Sequence, residues 1–380
     1  MPASVKKMVT QPSKMPAFSQ IIEQLVSSPL LKPFVLSLII LASTIFLIKR
    51  LFATSVSHKK LPPSPSKVPI IGHLHKLGRY PHLSLQKLSQ KYGPIMLLRL
   101  GSVPTLVVSS AEAAQEIMKT HDLAFADRPR SKINEKMLYN YKDLATAPYG
   151  EYWRQMKSIC VVQLLSNKRV YDTRKVRENE TALLVKKIAE TSNSVVDLSD
   201  LLMAYTNDII SLSAFGRRFS EGESGWQLRR LMKDMISLLG GFDVGTYIPQ
   251  LAWLSTVMGF YTKVDAVAKE VDEFLEKLID EHIHTSKRAK AEGSEDFVDV
   301  LLEIYNDKSI TGFSIDRESI KAIVLDILAA GTDTTFTVLE WAMTELLRHP
   351  QGEHLDMTET TGFTNHKKEH LLAVATPYSI

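Results

Sequence analysis

Between Phe34 and Ile48 the chain runs for fifteen residues, FVLSLIILASTIFLI, without one charged side chain. Taken as a helix rising about 1.5 Å per residue, that core spans roughly 22 Å. Leu30, Leu31, Leu51 and Phe52 extend it toward the thickness of a bilayer. Lys32, Lys49 and Arg50 lie near its ends, where long stems carry the charge out to the headgroups. No A-x-A-like site follows and the next residues are basic, which argues against a cleaved signal. Residues 30–53 are therefore expected to form a single-pass transmembrane anchor, with a buried core helix as the alternative. Lys6, Lys7, Lys14 and Lys32 precede the run, and Lys49, Arg50, Lys59 and Lys60 follow it, so charge bias leaves orientation open. Residues 1–29 form an N-terminal tail whose first 22 residues carry no Asp or Glu, a weak likeness to a plastid transit peptide.

After the apolar run comes LPPSPSKVPIIGH, with Pro62, Pro63, Pro65 and Pro69. Proline fixes φ and keeps the preceding residue out of the helical region, so 54–72 is expected to be an extended, semi-rigid hinge. The body occupies 73–350, and a short C-terminal piece 351–380 follows. Hydrophobic residues make up 44% and charged residues 23%, which is globular and allows a sizeable core. A net charge of +4 without a concentrated basic stripe excludes a nucleic-acid partner. The single cysteine, Cys160, rules out an intrachain disulfide and fits a body held in a reducing compartment.

Within the body, Tyr80 to Tyr92 reads as a helix stopped by Gly93-Pro94. Ile95–Leu100 and Thr105–Ser109 read as two strands joined through Gly101-Ser102. Helical periodicity dominates from Ala111 onward: AEAAQEIMKTH, Val170 to Ala189, Val264 to His284, Phe297 to Tyr305, and a long helix from about Ser314 to Leu347. The expected fold class is mainly α with a small β-sheet.

Inside the longest helix stands Ala330-Gly331-Thr332-Asp333-Thr334-Thr335. Glycine and clustered threonines are poor helix formers, and the hydroxyls compete for backbone carbonyls, so an interruption is expected there. An acid beside an alcohol, Asp333 and Thr334, can pass a proton to a bound oxygen species. A kink that merely serves packing is equally compatible with the pattern.

These residues resemble the central-helix motif [AG]-G-x-[DE]-T-[TS] of the cytochromes P-450. Other segments agree in order: the apolar run and proline hinge, KYGPIMLLRLG and PTLVVSS as a first sheet, FADRPR, and Tyr152-Trp153-Arg154-Gln155-Met156-Lys157. The set is similar to the plant A-type branch over roughly residues 30 to 350. The resemblance implies that Gly331 makes room over a haem while Asp333 and Thr334 steer protons to iron-bound dioxygen. It further implies that Trp153, Arg154 and Lys157 hold a haem propionate. Lys157 stands where arginine is commoner, which keeps the charge but loses the planar fork. Haem b, electrons from NADPH through a membrane-bound reductase, membrane lipid and a small apolar substrate are the implied cofactors and partners. The implied location is the endoplasmic reticulum membrane with a cytosolic body, with the plastid as a minor alternative. Substrate contacts are expected on Ile133 to Tyr149, on GGFDVGTYIPQLAWL and on Ala329 to Thr335.

One part of the family pattern does not occur in this sequence. Haem-thiolate chemistry uses a cysteine sulfur as axial ligand, because its electron donation favours O–O cleavage. The family carries it in F-x-x-G-x-R-x-C-x-G, and no cysteine follows Cys160. Cys160 lies in the apolar SICVVQLLS and is expected to be a buried structural thiol. Glu345 and Arg348 match the letters of E-x-x-R but directly continue the long helix, so a surface ion pair at i,i+3 is expected. Residues 351–380, with GEHLDMTETTGFTNHKKEHLLAVATPY, resemble the family's extreme C-terminus. An in-frame internal deletion near Pro350-Gln351 accounts for this, leaving an incomplete fold behind the anchor. The expectations are no metal site, with His354, His366 and His370 as solvated side chains, and no monooxygenase activity. The alternative function is a non-enzymatic membrane protein that binds reductase or family partners.

Overall fold

The structure is a computed structural model that describes residues 31–51, 61–219, 222–286, 296–307, 309–310, 312–351 and 355–376. Expectations placed on 1–30, on 52–60 and on His354 lie outside the described residues. The chain divides into two units, Met1–Leu61 and Pro62–Ile380.

The first unit contributes α1, Leu31–Leu51. Its described side chains from Pro33 to Leu47 are all exposed, Phe34 by 63% and Leu41 by 59%. The two hydroxyls inside the run are satisfied within the helix: Ser37 donates to the Phe34 carbonyl at 2.8 Å and Thr44 to that of Ile40 at 2.7 Å.

The second unit begins with the described part of the proline segment. Residues 62–67 carry no regular structure, as the prolines dictate. They are held against the body, because Leu97 N–H donates to the Pro63 carbonyl at 2.9 Å and His73 Nε2 lies 2.9 Å from that of Pro65. Helix α2 (Pro81–Tyr92) starts on a proline, where a missing N–H costs nothing, and Gly93 ends it. Strands β1 (Ile95–Leu100) and β2 (Val103–Val108) pair antiparallel from Ile95↔Val108 to Leu100↔Val103. The second strand starts two residues earlier than its valine run suggests, since the turn is as tight as two residues allow. Gly101 sits there at φ 60°, and a Cβ would fall 2.1 Å from the Tyr247 carbonyl oxygen.

Helices then follow: α3 (Lys132–Met137), α4 (Glu151–Ile159), α5 (Arg174–Glu190), α6 (Leu198–Phe215), α7 (Gly222–Leu239), α8 (Phe260–Ser286), α9 (Phe297–Asn306) and α10 (Arg317–Gln351). A second small sheet pairs β3 (Val195–Asp197) with β4 (Leu372–Val374). The fold is mainly helical with two small sheets. The expected helix from Val170 divides at Thr173, whose hydroxyl captures the Arg169 and Val170 carbonyls and caps a short helix there. AEAAQEIMKTH likewise begins as an α-helix capped by Ser110 and widens into a π-turn over Glu116–Thr120.

The core gathers apolar faces of α7, α8, α9 and α10, with Leu228, Leu231, Val264, Leu275, Ile279, Leu301, Ile320 and Leu325 all buried. By length and composition α10 is able to cross a membrane. In this unit it is instead a core helix, burying Ile320, Ile323, Val324, Leu325 and Leu328 against its neighbours. A smaller cluster of Leu198, Leu202, Phe336 and Leu371 ties α6 and α10 to the C-terminal segment.

Candidate functional site

Helix α10 passes through AGTDTT without a break, contrary to the interruption expected from its glycine and threonines. Within it the Thr334 hydroxyl takes the Ala330 carbonyl, and just beyond it the Thr337 hydroxyl takes that of Asp333, both at 2.7 Å. These bonds are made to i−4 carbonyls already in the helix, so they accompany its backbone bonds and do not end it.

At about 100° per residue, Gly331 and Thr334 lie within about 60° of each other on this helix, while Asp333 points about 100° or more away from both. Gly331 faces α6, where a Cβ would lie 2.6 Å from Ile210 Cδ1, so the glycine lets the two helices approach. The space it makes is therefore taken up by a neighbouring side chain. Thr334 is exposed. Asp333 is half-buried and turns toward the C-terminal segment, accepting a hydrogen bond from Thr364 Oγ1 at 2.6 Å and lying 3.0 Å from His366 Nε2. Burial works against its charge, but the His366 and Thr364 contacts outweigh it and hold the carboxyl below the ordinary value.

His366 is thus no solvated side chain. Its Nδ1 lies 2.8 Å from Thr337 Oγ1, and its ring tilts against Phe336 at 5.4 Å between centroids. One turn further along α10, Trp341 donates to the Asn365 carbonyl at 2.9 Å, and buried Glu340 accepts from Ser199 and from the Lys367 N–H. Residues 364–367 therefore form a strap across α10. His370 goes elsewhere, its Nδ1 2.7 Å from Asp197 Oδ2. The i,i+4 spacing of these histidines does not converge them on one metal, because the segment carrying them is not helical. Local spacing carried no sign of either carboxylate partner, since both come from far earlier in the chain.

Between α6, α7, α10 and the strap lies a cavity of about 920 Å³. Met203, Ile236, Leu328 and Phe336 give it an apolar wall, and Asn207, Thr332, Asp333 and His366 bring polar groups to it. Of the expected substrate contacts, Gly240, Gly241, Ala329, Thr332 and Asp333 line this cavity, whereas no residue of 133–149 does. The rest of the 240–254 loop closes on the first hairpin, with Ser102 N–H donating to the Tyr247 carbonyl at 2.7 Å.

Trp153, Arg154 and Lys157 form a separate patch on α4, away from this cavity's lining. Trp153 and Lys157 do share a face, with the ammonium 4.7 Å from the indole centroid. The Trp153 N–H is donated to the Leu144 carbonyl at 3.0 Å. Arg154 lies over the Tyr149 ring at 5.9 Å.

Cys160 follows directly on α4 and is 4% exposed. Burial, with the negative charge of Asp326 adding to it, pushes the thiol up to about 12. Asp326 itself is pushed up to about 7, by burial first and then by Asp143, while it accepts the Leu144 N–H at 2.6 Å. The aspartate within the apolar VLDILAAG is the one mark of this acidic pair in the sequence. At the far end of α10, Arg348 and Glu345 form an exposed i,i+3 pair at 3.5 Å.

The sequence model of the cytochrome P-450 family matches residues 62–360. The chain is 51% identical to cytochrome P-450 736A117 of Prunus mume over 319 residues, 83% of this chain and 61% of that protein. It is 49% identical to cytochrome P-450 71A3 of Solanum melongena over 330 residues, 86% of this chain and 89% of that one. Norfluorocurarine oxidase of a Strychnos species is 48% identical over 336 residues, 85% of this chain and 65% of that enzyme. The chain thus spans less than two thirds of the length of the first and third of these relatives.

Proposed function

The chain belongs to the cytochrome P-450 family, and from that premise we propose that it binds a small, largely apolar molecule without oxidising it. The family's activity is haem-dependent oxygenation with electrons supplied from NADPH by a reductase. The residues present do not fit a thiolate-bound haem. The only sulfur of the right kind belongs to Cys160, which is buried in the core, strongly disfavoured as a thiolate and attached to a helix. That single observation carries the reading of inactivity.

The oxygen-side parts of the family pattern are retained as residues. In this reading Gly331, Asp333 and Thr334 are the counterparts of the family's central-helix group, and Trp153, Arg154 and Lys157 those of its propionate site. Asp333 is engaged by the strap and the Trp153 N–H by a carbonyl of this chain, which supports a fold adapted to stand without the group. Helix α1, apolar and with exposed side chains, is read as a single-pass anchor in the endoplasmic reticulum membrane, with the body cytosolic. Loss of a segment between α10 and the C-terminal piece is part of the same proposal.

A carbon-monoxide difference spectrum on membranes expressing the full chain tests it. The expected result is no thiolate-haem band at a protein level where a full-length relative gives one. A band of that kind would overturn the proposal. The cavity beside Asp333, rather than a haem, is then the place for a ligand.

A further inference from the structure

Alternate N–H groups of β1 point away from β2, and the segment before α2 takes them. Leu97 donates to the Pro63 carbonyl at 2.9 Å and Gly101 to that of Ile71 at 3.1 Å. Between them the Arg99 N–H donates to Nδ1 of His73 at 2.7 Å, so a side chain fills one place on this strand edge. The same imidazole reaches back along its own segment, with Nε2 2.9 Å from the Pro65 carbonyl. His73 is 2% exposed.

These two partners fix the ring's protonation. A backbone N–H only donates, so Nδ1 carries a lone pair; a backbone carbonyl only accepts, so Nε2 carries the hydrogen. While both bonds stand the ring is neutral, and a second proton would set two N–H groups head to head at Arg99. No carboxylate is placed to receive that proton. The sequence has no acid between Glu23 and Glu112. Besides His73, residues 62–77 and 95–101 carry only Lys67, His75, Lys76 and Arg99 as ionisable groups, β2 carries none, and α2 adds His82, Lys87, Lys91 and Tyr92. The acids that meet this region from elsewhere are committed: Asp243 accepts from Thr246, Ser255 and Tyr261, each at 2.9 Å, and Glu359 lies 2.8 Å from His82.

The clasped segment is also under load. Ile70 has φ 68°, a left-handed conformation that a β-branched residue rarely adopts, inside a turn closed by reciprocal Val68 and Gly72 bonds at 3.0 and 2.9 Å. Such strain persists only where the surroundings hold it, and here the turn is held against the edge of β1. We propose that His73 is a proton-sensitive clasp: its neutral ring fixes the proline segment to β1, and protonation on Nδ1 lets the segment go. The released state binds the extra proton, so falling pH favours it. Release frees residues 62–72, about 34 Å of extended chain, to lengthen the tether between α1 and the fixed body. The inference is independent of the reading of the chain as inactive.

The test is hydrogen–deuterium exchange, read by mass spectrometry on the full chain in lipid nanodiscs at about pH 7.5 and about pH 5. Rates are corrected for the intrinsic pH dependence of exchange. The Leu97, Arg99 and Gly101 amides are expected to be protected at the higher pH and to exchange about ten-fold faster at the lower, while α8 and α9 stay protected. His73→Asn sets a non-titrating oxygen where Nδ1 stands and should keep the protection at both pH values. His73→Phe, which offers no acceptor, should lose it at both. Equal protection of the parent at both pH values overturns the proposal, as does acid opening that persists in His73→Asn or a protected edge in His73→Phe. Loss of α8 and α9 protection together with the edge also overturns it, because the whole fold would then be opening. Should a variant misfold by circular dichroism, nitrogen-15 NMR of the histidine-labelled parent decides. A bare Nδ1 and protonated Nε2 on His73 at about pH 7.5, with both protonated at about pH 5, is the expected signature. A protonated Nδ1 at the higher pH, or a bare one at both, overturns the clasp.

Discussion

His366 of the C-terminal strap stands 3.0 Å from Asp333, the acid of the AGTDTT segment on α10. The pair joins two parts of the chain that the sequence gives no local reason to connect, and it anchors the strap where α10 also receives Thr364 and Asn365.

Asp333 has a pKa held below its ordinary value of 3.8 by His366 and Thr364, against the opposing effect of burial. A depressed carboxylate contributes stability that is present above its unfolded-state pKa and lost as pH falls through the folded value. Chemical denaturation of the body at a series of pH values should therefore show stability falling below about pH 4. Asp333→Asn is expected to cost about 1–3 kcal/mol at neutral pH and to flatten that acid limb. An acid limb as steep in Asp333→Asn as in the parent would assign the loss to other carboxylates.

His370 titrates in the opposite sense. Its hydrogen bond to Asp197 raises it above the ordinary 6.5, with burial opposing. Stability from a raised histidine is complete below the unfolded pKa and disappears as pH rises through the folded one. The ring is half exposed, so the contribution is only about 0.2–1 kcal/mol. Proton NMR titration should give a midpoint above 6.5 in the parent and an ordinary one in Asp197→Asn.

Cys160, buried and pushed up to about 12, should be inert toward iodoacetamide at pH 8 in the folded chain and react once denaturant unfolds it. Mass spectrometry of the alkylated peptide reads this directly. Modification of the native chain within minutes at pH 8 would place the thiol at the surface and reopen it as a ligand.

Gly331→Ala adds a methyl 2.6 Å from Ile210 Cδ1. In an exposed helix the same change stabilises by about 1 kcal/mol. Here overpacking should reverse the sign, to a loss of about 1–2 kcal/mol, moderated because the clashing atom is the end of a side chain that can turn. Ile210→Ala should remove the penalty, so a double-mutant cycle on thermal or denaturant stability should show a favourable coupling between the two substitutions. Additive effects would mean that the helices do not approach at this point.

The helices of the body were readable from periodicity, because a buried stripe every three or four residues is a property of neighbours in the chain. Phe297 to Tyr305 and the long helix through AGTDTT came out within a few residues of their observed ends. The break at Thr173 and the unbroken course of α10 were not readable, since both turn on whether a hydroxyl finds its carbonyl within a packed helix. Cys160 as an inert thiol and the Glu345–Arg348 pair were also foreseeable, one from apolar neighbours and the other from i,i+3 spacing.

By itself the sequence determined the family, the mainly helical class and the presence of a single cysteine that no haem-ligand motif surrounds. Tertiary structure decided how the motif residues are used. On one stretch of α10, Gly331 admits Ile210, Asp333 meets His366, and the Thr332 hydroxyl is buried without a hydrogen-bond partner. Each of those relationships depends on an element distant in sequence arriving at a particular side of the helix. Local spacing settles which way a side chain points from its own axis, and only the packed fold settles what stands opposite it.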